Sequence, residues 1–307
     1  MTNKPKMALK MRSWLFAPGD SERKMTKAME SSADIALFDL EDAVTPENKP
    51  LARQMVHDFL KAHTAYRARL WVRINPFDGP YTLADLAAIM PAHPGGIMLP
   101  KVYGRADVEK LDHCLSALEV ANGIEEGSTP VIVLITETAE AMFHTGSYKG
   151  APRVVALTWG AEDLADSIGA SSNRNPDGSY SFTYELARSL TVLGAATAGV
   201  AAVETISADF KDLDALRARA EKVRRATDFA GCSRFIRHRS MSSMPPLPPA
   251  QKTLPKPARL LRFSMPIPAL APSAIRVACS TGPFCRAHKA CSRRSTRRDT
   301  QHRCSGA

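Results

Sequence analysis

The sequence predicts an α/β fold, specifically a (β/α)8 TIM-type barrel that has lost its eighth strand and its C-terminal helices. Short apolar segments alternate with amphipathic segments at regular spacing along Met1–Gly231. Segments such as VIVLIT and VVALT are apolar throughout, which is typical of strands buried on both faces of a parallel sheet. Seven such units precede an abrupt change in composition, and a complete barrel takes about 250 residues. A doubly wound open sheet is the alternative.

Seven strands and seven helices are predicted in alternation. The strands are expected at Ser13–Ala17, Asp34–Phe38, Leu70–Ile74, Gly96–Leu99, Pro130–Ile135, Val154–Thr158 and Ala201–Ile206. The helices are expected at Ser21–Glu30, Pro46–Ala62, Leu83–Met90, Arg105–Asn122, Ala139–Tyr148, Tyr184–Ala198 and Leu213–Ala226. Several helices begin with Ser, Thr or Asp or with proline in the first turn, as at Thr45 and Pro46. The polar segment Ser171–Ser181 is expected to form a loop.

The composition changes at Gly231. The 307-residue chain has a net charge of +10, but Cys232–Ala307 holds 15 of its 41 Lys and Arg and only 1 of its 31 Asp and Glu. Five of the 6 cysteines also follow Gly231, and the remaining one, Cys114, indicates a reducing compartment. Because no signal peptide or membrane-spanning run is recognisable, a cytoplasmic protein is expected. We predict a catalytic barrel over residues 8–231 and a basic, Pro- and Cys-rich tail over residues 232–307.

Charged side chains follow most of the predicted strands, at the end where barrels of this type hold their active sites. In chain order, the residues at these strand ends are Pro18, Gly19, Asp39, Glu41, Asp42, Arg73, Lys101, Glu137 and Asp163. Simpler roles exist: Asp163 could cap the next helix, Arg73 could pair with Asp39 or Glu41, and Lys101 could be merely solvated. Together, several carboxylates and an arginine favour a hard cation such as Mg²⁺. The predicted barrel has no His and Cys cluster, which argues against zinc.

These residues lie in strings that resemble the citrate lyase β-subunit-like branch of the HpcH/HpaI aldolase superfamily. The strings are RSWLFAPGD, LFDLEDAV, VRINPFDGP, IMLPKV, LITETA and LTWGAEDLADSIGA. AAVETISADFKDLDAL resembles the seventh strand and its loop. The resemblance covers about Met11–Gly231, with the strings in the expected order.

The resemblance implies a Mg²⁺-dependent carbon–carbon lyase that acts on a hydroxyacyl-CoA thioester such as malyl-, citramalyl- or citryl-CoA. It implies that Glu137 and Asp163 bind the metal and that, with Arg73, they form the catalytic site. Substrate is expected to contact Arg73 and Glu137, with Pro18, Gly19 and Lys101 near the acyl-CoA. Asp39, Glu41 and Asp42 are expected to orient Arg73 and metal-bound water. Intact relatives are expected to be homo-oligomers, and no nucleic-acid or membrane partner is expected for this chain.

Two other functions remain open from the sequence. An enzyme of the same superfamily could act on free 2-keto acids as a pyruvate aldolase. A protein of another class could bind nucleic acid through the basic tail. The tail also contains cysteines without CxxC spacing and a proline-rich stretch, PPLPPAQKTLPKP, which resembles a polyproline ligand.

A change of reading frame accounts for all of these features of the tail. Family members continue with an eighth strand ending in I-H-P-A-Q, then helices, then a G-x-M-(L/V)-D-x-P segment. Codons for Phe235–Met244, read one base earlier, can encode I-H-P-A-Q-V-D-V-I-N. We therefore hypothesise a frameshift near Ala230–Ser233 and expect the tail to be non-functional and disordered. The missing eighth strand would leave two unpaired strand edges, so the chain is expected to be poorly soluble. In the family, the aspartate of the lost segment is thought to act as acid/base in a neighbouring subunit, so the chain is also expected to be weakly active or inactive.

Overall fold

A computed structural model of the chain describes residues 11–207 and 231–235. The chain divides into two units, Met1–Pro249 and Ala250–Ala307, and every described residue belongs to the first. The strands are β1 (Ser13–Pro18), β2 (Ile35–Asp39), β3 (Leu70–Arg73), β4 (Gly96–Leu99), β5 (Val131–Leu134), β6 (Val154–Thr158), β7 (Ala201–Ser207) and β8 (Gly231–Phe235). The helices are α1 (Glu22–Glu30), α2 (Lys49–Ala62), α3 (Thr82–Ile89), α4 (Arg105–Ala121), α5 (Glu162–Ser167) and α6 (Phe182–Ala198). Within these residues, no helix is both long and apolar enough to cross a membrane.

The strands form a parallel sheet in which each strand pairs with its neighbours in chain order. The predicted α/β class and parallel sheet are therefore confirmed. A doubly wound sheet would instead reverse its strand order at a switch point. Pairing of β8 with both β7 and β1 closes the sheet into a barrel.

The prediction that the eighth strand is missing is wrong. Residues Gly231–Phe235 form β8, which pairs with β1 from Ser13 to Phe16 and with β7 from Val203 to Ser207. Strand pairing uses backbone N–H and C=O groups, which any residue except proline supplies in full. A five-residue segment without proline can therefore fill the gap between two strands even where the composition has changed. The rest of the predicted tail and the lost C-terminal helices lie outside the described residues.

Two helix predictions differ from the structure. The predicted helix at Ala139–Tyr148 contains only a 3-10 turn at Ala141–His144. The chain there packs closely on α6, where a Cβ at Gly194 would lie 2.3 Å from the Thr145 carbonyl oxygen. Helix α5 was not predicted as a separate element, because six residues are too few to show a helical period. The predicted helix Leu213–Ala226 lies outside the described residues.

Alternate residues of the strands form two apolar layers. One row faces the centre of the sheet's curve and forms a cluster of Trp14, Phe16, Ile35, Leu37, Trp71, Met98, Ile132, Leu134, Ala156 and Val203. The other row packs against the helices. Trp14 and Trp71 meet edge to face, with ring centroids 5.3 Å apart, and a Cβ at Gly96 would lie 2.5 Å from the Trp71 ring. The inner layer thus fills the space below the carboxyl ends of the strands.

Candidate active site

Asp39 and Arg73 continue the inward-facing rows of β2 and β3 above the apolar layer. They are partners in the strand register, and Arg73 Nε and Nη2 donate to the two Asp39 oxygens at 2.7 and 2.6 Å. The guanidinium carbon lies 5.3 Å from the centroid of the Phe16 ring. Both charged side chains are buried, so this bidentate pair fixes the plane of the guanidinium.

The turn after β2 brings two more carboxylates to Arg73. Asp39 accepts hydrogen bonds from the backbone N–H groups of Glu41 and Ala43, at 2.9 and 3.1 Å. This turn places Glu41 Oε2 2.7 Å and Asp42 Oδ2 3.5 Å from Arg73 Nη1. Arg73 therefore pairs with both Asp39 and Glu41, as the simpler interpretation of the sequence had allowed.

Lys101 connects the site across the barrel mouth. It follows β4 with a positive φ of 49°, in the left-handed region, and its Nζ lies 2.7 Å from Glu41, 3.1 Å from Asp42 and 3.0 Å from Asp163. The alternative that Lys101 is merely solvated is therefore wrong. One ammonium group joins the turn after β2 to the loop after β6.

Glu137 lies in the loop after β5 and is almost fully buried, at 2% exposure. Its Oε2 accepts a hydrogen bond of 2.7 Å from the backbone N–H of Lys101. Its other side packs against Gly160, where a Cβ would lie 2.8 Å from both Cγ and Oε1 of Glu137. Gly160 is therefore the residue that leaves room for this carboxylate.

Asp163 lies in the first turn of α5, where a carboxylate is favourable beside the helix N-terminus. The N-cap position is held by Ala161, so the alternative that Asp163 caps this helix is wrong. Its carboxylate contacts Lys101 and is partly exposed. Together, these contacts place Asp39, Glu41, Asp42, Arg73, Lys101, Glu137 and Asp163 in one connected cluster.

The cluster has more carboxyl groups than cationic side chains, and this shifts the pKa values of its members. Burial raises the pKa of Glu41 to about 7, although Arg73 and Lys101 oppose the shift. Burial also raises the pKa of Glu137 well above its usual value, and the charges of Glu41 and Asp163 raise it further. Burial would lower the pKa of Lys101, but attraction to Glu41 and Asp163 outweighs it and the pKa is raised. The site therefore favours additional positive charge.

Pro18 and Gly19 lie at the edge of this cluster. Pro18 ends β1, and the Gly19 N–H donates to the Asp39 carbonyl at 2.8 Å. A Cβ at Gly19 would lie 2.9 Å from that same oxygen. The glycine thus allows the loop after β1 to approach the end of β2, and its amide is used within the protein.

Two pockets adjoin Lys101. One of about 290 Å³ lies between the loops after β2 and β3, and its lining includes Glu41, Lys49, Asn75 and Tyr81. The other, of about 190 Å³, is lined by residues after β3 and β4, among them Phe77, Tyr103 and Lys110. The charged cluster is therefore open to solvent space on two sides.

Sequence reasoning missed Lys49 and Asp85, which are both buried beside the cluster, and did not assign Asn75 a role. Lys49 is the first residue of α2, which has no acidic residue in its first turn. A cation is unfavourable at a helix N-terminus, so a lysine there indicates some other partner. That was the only clue the sequence offered.

Sequence comparisons with known proteins indicate a single family. Residues 12–230 match the family model described as HpcH/HpaI aldolase/citrate lyase. The (3S)-malyl-CoA thioesterase of Cereibacter sphaeroides is 33% identical over 214 residues, which are 69% of this chain and 69% of the relative.

Solved structures agree with the sequence comparisons. The citrate lyase β subunit of Mycobacterium tuberculosis, complexed with oxaloacetate and magnesium, has a TM-score of 0.62 and 29% identity, covering 74% of this chain and 92% of that one. CitE from the same organism, in complex with magnesium, acetoacetate and coenzyme A, has a TM-score of 0.61 and 29% identity, covering 74% of this chain and 77% of that one. The chain belongs to the HpcH/HpaI aldolase/citrate lyase family.

Proposed function

We propose that the protein is a Mg²⁺-dependent carbon–carbon lyase that acts on a hydroxyacyl-CoA thioester, with malyl-, citramalyl- and citryl-CoA as candidate substrates. The observation that carries the proposal is the single network of Arg73, Lys101, Glu137 and Asp163, which come from four successive strand ends. In a (β/α)8 barrel, which we propose as the scaffold, catalytic groups come from the ends of several strands. Relatives crystallised with magnesium, small oxo acids and coenzyme A support the same assignment.

The residues present fit a magnesium ion. The cluster contains five carboxyl groups, Asp39, Glu41, Asp42, Glu137 and Asp163, but only two cationic side chains, which pair with four of them. The Lys101 ammonium lies among three of them, which supports a site that attracts positive charge. We assign Glu137 and Asp163 as the metal ligands. No group of three or more such side chains forms a metal cage among the described residues, and Mg²⁺ typically takes one or two carboxylates with water and substrate oxygens.

Arg73 is proposed to bind the substrate carboxylate or carbonyl oxygens. Asp39 holds Nε and Nη2, so Nη1 points along the side of Glu41 and Asp42. A guanidinium fixed in this way presents its remaining N–H groups without the entropy cost of ordering a free side chain. Glu41 and Asp42 are proposed to hold Arg73 and Lys101 in place when no substrate is bound.

Cleavage of a hydroxyacyl-CoA breaks a carbon–carbon bond, turns the hydroxyl carbon into a carbonyl, and leaves the bonding electrons on the thioester α-carbon as an enolate. The hydroxyl gives its proton to a base, and the α-carbon gains one from an acid, so protons balance over the whole reaction. Bound magnesium would supply a Lewis acid at the oxygen beside the breaking bond. Arg73 would stabilise developing negative charge on oxygen, and Lys101 would neutralise Glu41 and Asp163. The enolate then needs a proton, and the family's acid/base aspartate belongs to the segment that the hypothesised frameshift removes.

We assign Pro18, Gly19 and Lys101 to the acyl-CoA side of the site. Lys101 lines both pockets beside the cluster, of about 190 and 290 Å³, and we propose that they receive the acyl group and part of the CoA arm. We further propose that the enzyme is cytoplasmic and that its intact relatives are homo-oligomers. The residues after Phe235 are proposed to contribute no nucleic-acid or membrane binding. The family match ends at residue 230, beside the hypothesised frameshift, which supports this interpretation.

The test is an assay of the full chain against malyl-, citramalyl- and citryl-CoA, with Mg²⁺ or with EDTA, beside a gene in which the reading frame after Gly231 is restored. We expect metal-dependent release of an oxo acid, slow with the chain as it is and faster with the restored frame. Cleavage of pyruvate aldols but of no CoA thioester by both proteins would contradict the proposal. DNA affinity that is steeply salt-dependent and lost on deleting residues 236–307 would favour the nucleic-acid alternative.

A further inference from the structure

Lys49 is a buried lysine whose contacts are all within the protein. It begins α2 and is only 6% exposed. Its Nζ donates to the Leu40 carbonyl at 2.9 Å, the Glu41 carbonyl at 3.1 Å and Asn75 Oδ1 at 2.8 Å. An ammonium group has three protons, and these contacts use all of them. Lys49 therefore does not bind a ligand in this arrangement, although it lines the larger pocket.

The two carbonyl groups held by Lys49 belong to the turn that carries the site carboxylates. The same turn is held from its N–H side by Asp39, which accepts from Glu41 and Ala43. One cation and one anion thus clamp opposite polar faces of a single turn. The side chain of Glu41, which leaves this turn, contacts both Arg73 and Lys101.

The clamp is anchored on α3. Asn75 donates to the Leu40 carbonyl at 2.9 Å and to Asp85 at 2.7 Å, and Asp85 also accepts from Arg53 at 2.7 Å. Burial lowers the pKa of Lys49, and Asp85 and Asp39 are the strongest of the nearby carboxylates that oppose the shift. The network therefore ties the end of β2 to α2, β3 and α3 without exposing its charges.

We propose that Lys49 is a positioning residue that holds the Leu40–Asp42 turn, and with it the Glu41 carboxylate, against Arg73 and Lys101. The effect on turnover rests on the lyase function proposed above, whereas the effect on the turn does not. A purely structural lysine would contribute to global stability alone. The two roles differ in which segment exchanges its amide hydrogens faster after substitution. They also differ in whether kcat/KM per folded molecule changes.

Arg69 offers a matched control. It donates to the backbone carbonyls of Ser31 and Ala33, at 2.9 and 2.6 Å, in the turn before β2 at the opposite end of that strand. Lys49→Met and Arg69→Met each remove one cation that binds two backbone carbonyls. Only Lys49→Met affects the end of β2 that carries the cluster.

The experiment combines hydrogen exchange and kinetics on the full chain. In Lys49→Met we expect exchange of the 40–45 segment to become roughly tenfold faster, and kcat/KM per folded molecule to fall about tenfold. In Arg69→Met we expect faster exchange before β2 and unchanged kcat/KM. Lys49→Arg, which keeps a cation with several donors, should recover most of both effects.

Each outcome decides a separate question. Unchanged exchange at 40–45 in Lys49→Met, or an equal catalytic loss in Arg69→Met, overturns the positioning role. If neither the chain as it is nor the protein with the restored frame cleaves a CoA thioester, the function proposed above fails, while the exchange data still test the clamp. If Lys49→Met does not fold, Lys49→Gln, which retains one donor group, is measured in the same way and is expected to lie between Lys49→Met and the parent.

Discussion

At the amino ends of the strands, Arg153 donates to Glu119, Asp112 and Ser116. At the carboxyl ends, the side chains of Arg73 and Lys101 pair with four carboxyl groups, and among the described residues Glu137 accepts only from the backbone N–H of Lys101. Burial would raise the pKa of Glu119, but hydrogen bonds from Arg153, Thr129 and Gly127 outweigh it, so the pKa is lowered. At the other end, burial raises the pKa of Glu41 and of Glu137.

The difference shows how the two networks are built. Each oxygen of Glu119 has a backbone donor as well as Arg153 nearby, so the anion is well solvated by the protein. Glu137 has one backbone donor and two carboxylates nearby. A network whose charges are satisfied stabilises the fold. One with an excess of negative charge is poised to bind a cation or a substrate.

The largest expected effect comes from replacing the central cation of each network. Arg73→Met and Arg153→Met each leave at least one buried carboxylate without its cationic partner, which should cost about 3–5 kcal/mol of unfolding free energy in both variants. Only Arg73→Met should also lower kcat/KM for the CoA thioester, by about 10²–10³-fold per folded molecule. Urea unfolding and steady-state kinetics separate the two effects. Equal catalytic losses would remove the distinction between the networks.

The pH dependence of stability should also have opposite signs at the two ends. Glu41 has a raised pKa in the folded protein, so the folded state binds its proton more tightly, and stability falls as pH rises from about 4.5 to about 7, by roughly 3 kcal/mol. Glu119 has a lowered pKa, so its contribution is present above its unfolded pKa and is lost as pH falls through the lower, folded pKa.

The measurement is urea unfolding across this pH range in EDTA. Glu41→Gln should flatten the neutral part of the profile, and Glu119→Gln the acidic part. A neutral slope that survives Glu41→Gln would assign it to Glu137, whose pKa is raised by the same burial. If the unfolding free energy instead rose with pH in the neutral range, the carboxylates of the cluster would already be neutralised by their cationic partners.

The sequence predicted the strands well because their apolar segments are continuous. The strand-end rule also predicted which carboxylates lie together with Arg73, since parallel strands place their carboxyl ends at one edge. It did not reveal the role of Lys101, because which carboxylates an ammonium reaches depends on the curvature of the barrel. Lys49 was missed for a different reason: two of its three partners are backbone carbonyls, and its position at the start of α2 does not indicate which groups it binds.

The eighth strand was missed for a different physical reason. Sequence reasoning looked for a family motif after Gly231, and its absence led to the prediction of two open strand edges. The structure pairs Gly231–Phe235 through backbone groups, which are largely independent of side-chain identity. The expected poor solubility therefore no longer follows from open edges at β1 and β7. The expected weak activity depends instead on the acid/base aspartate.

The smallest expected effect tests the space that Gly160 leaves for Glu137. A Cβ at Gly160 would lie 2.8 Å from Glu137 Oε1, so Gly160→Ala must displace the carboxylate that we assign to the metal. Moving one of two carboxylate ligands should weaken Mn²⁺ binding, measured by electron paramagnetic resonance or calorimetry, by about tenfold, or ~1.4 kcal/mol. Gly146→Ala is the matched control, because a Cβ there meets no atom within 4 Å. Equal Mn²⁺ affinity in the two variants would mean that the Glu137 carboxylate is not a ligand, and that its buried negative charge serves the substrate rather than the metal.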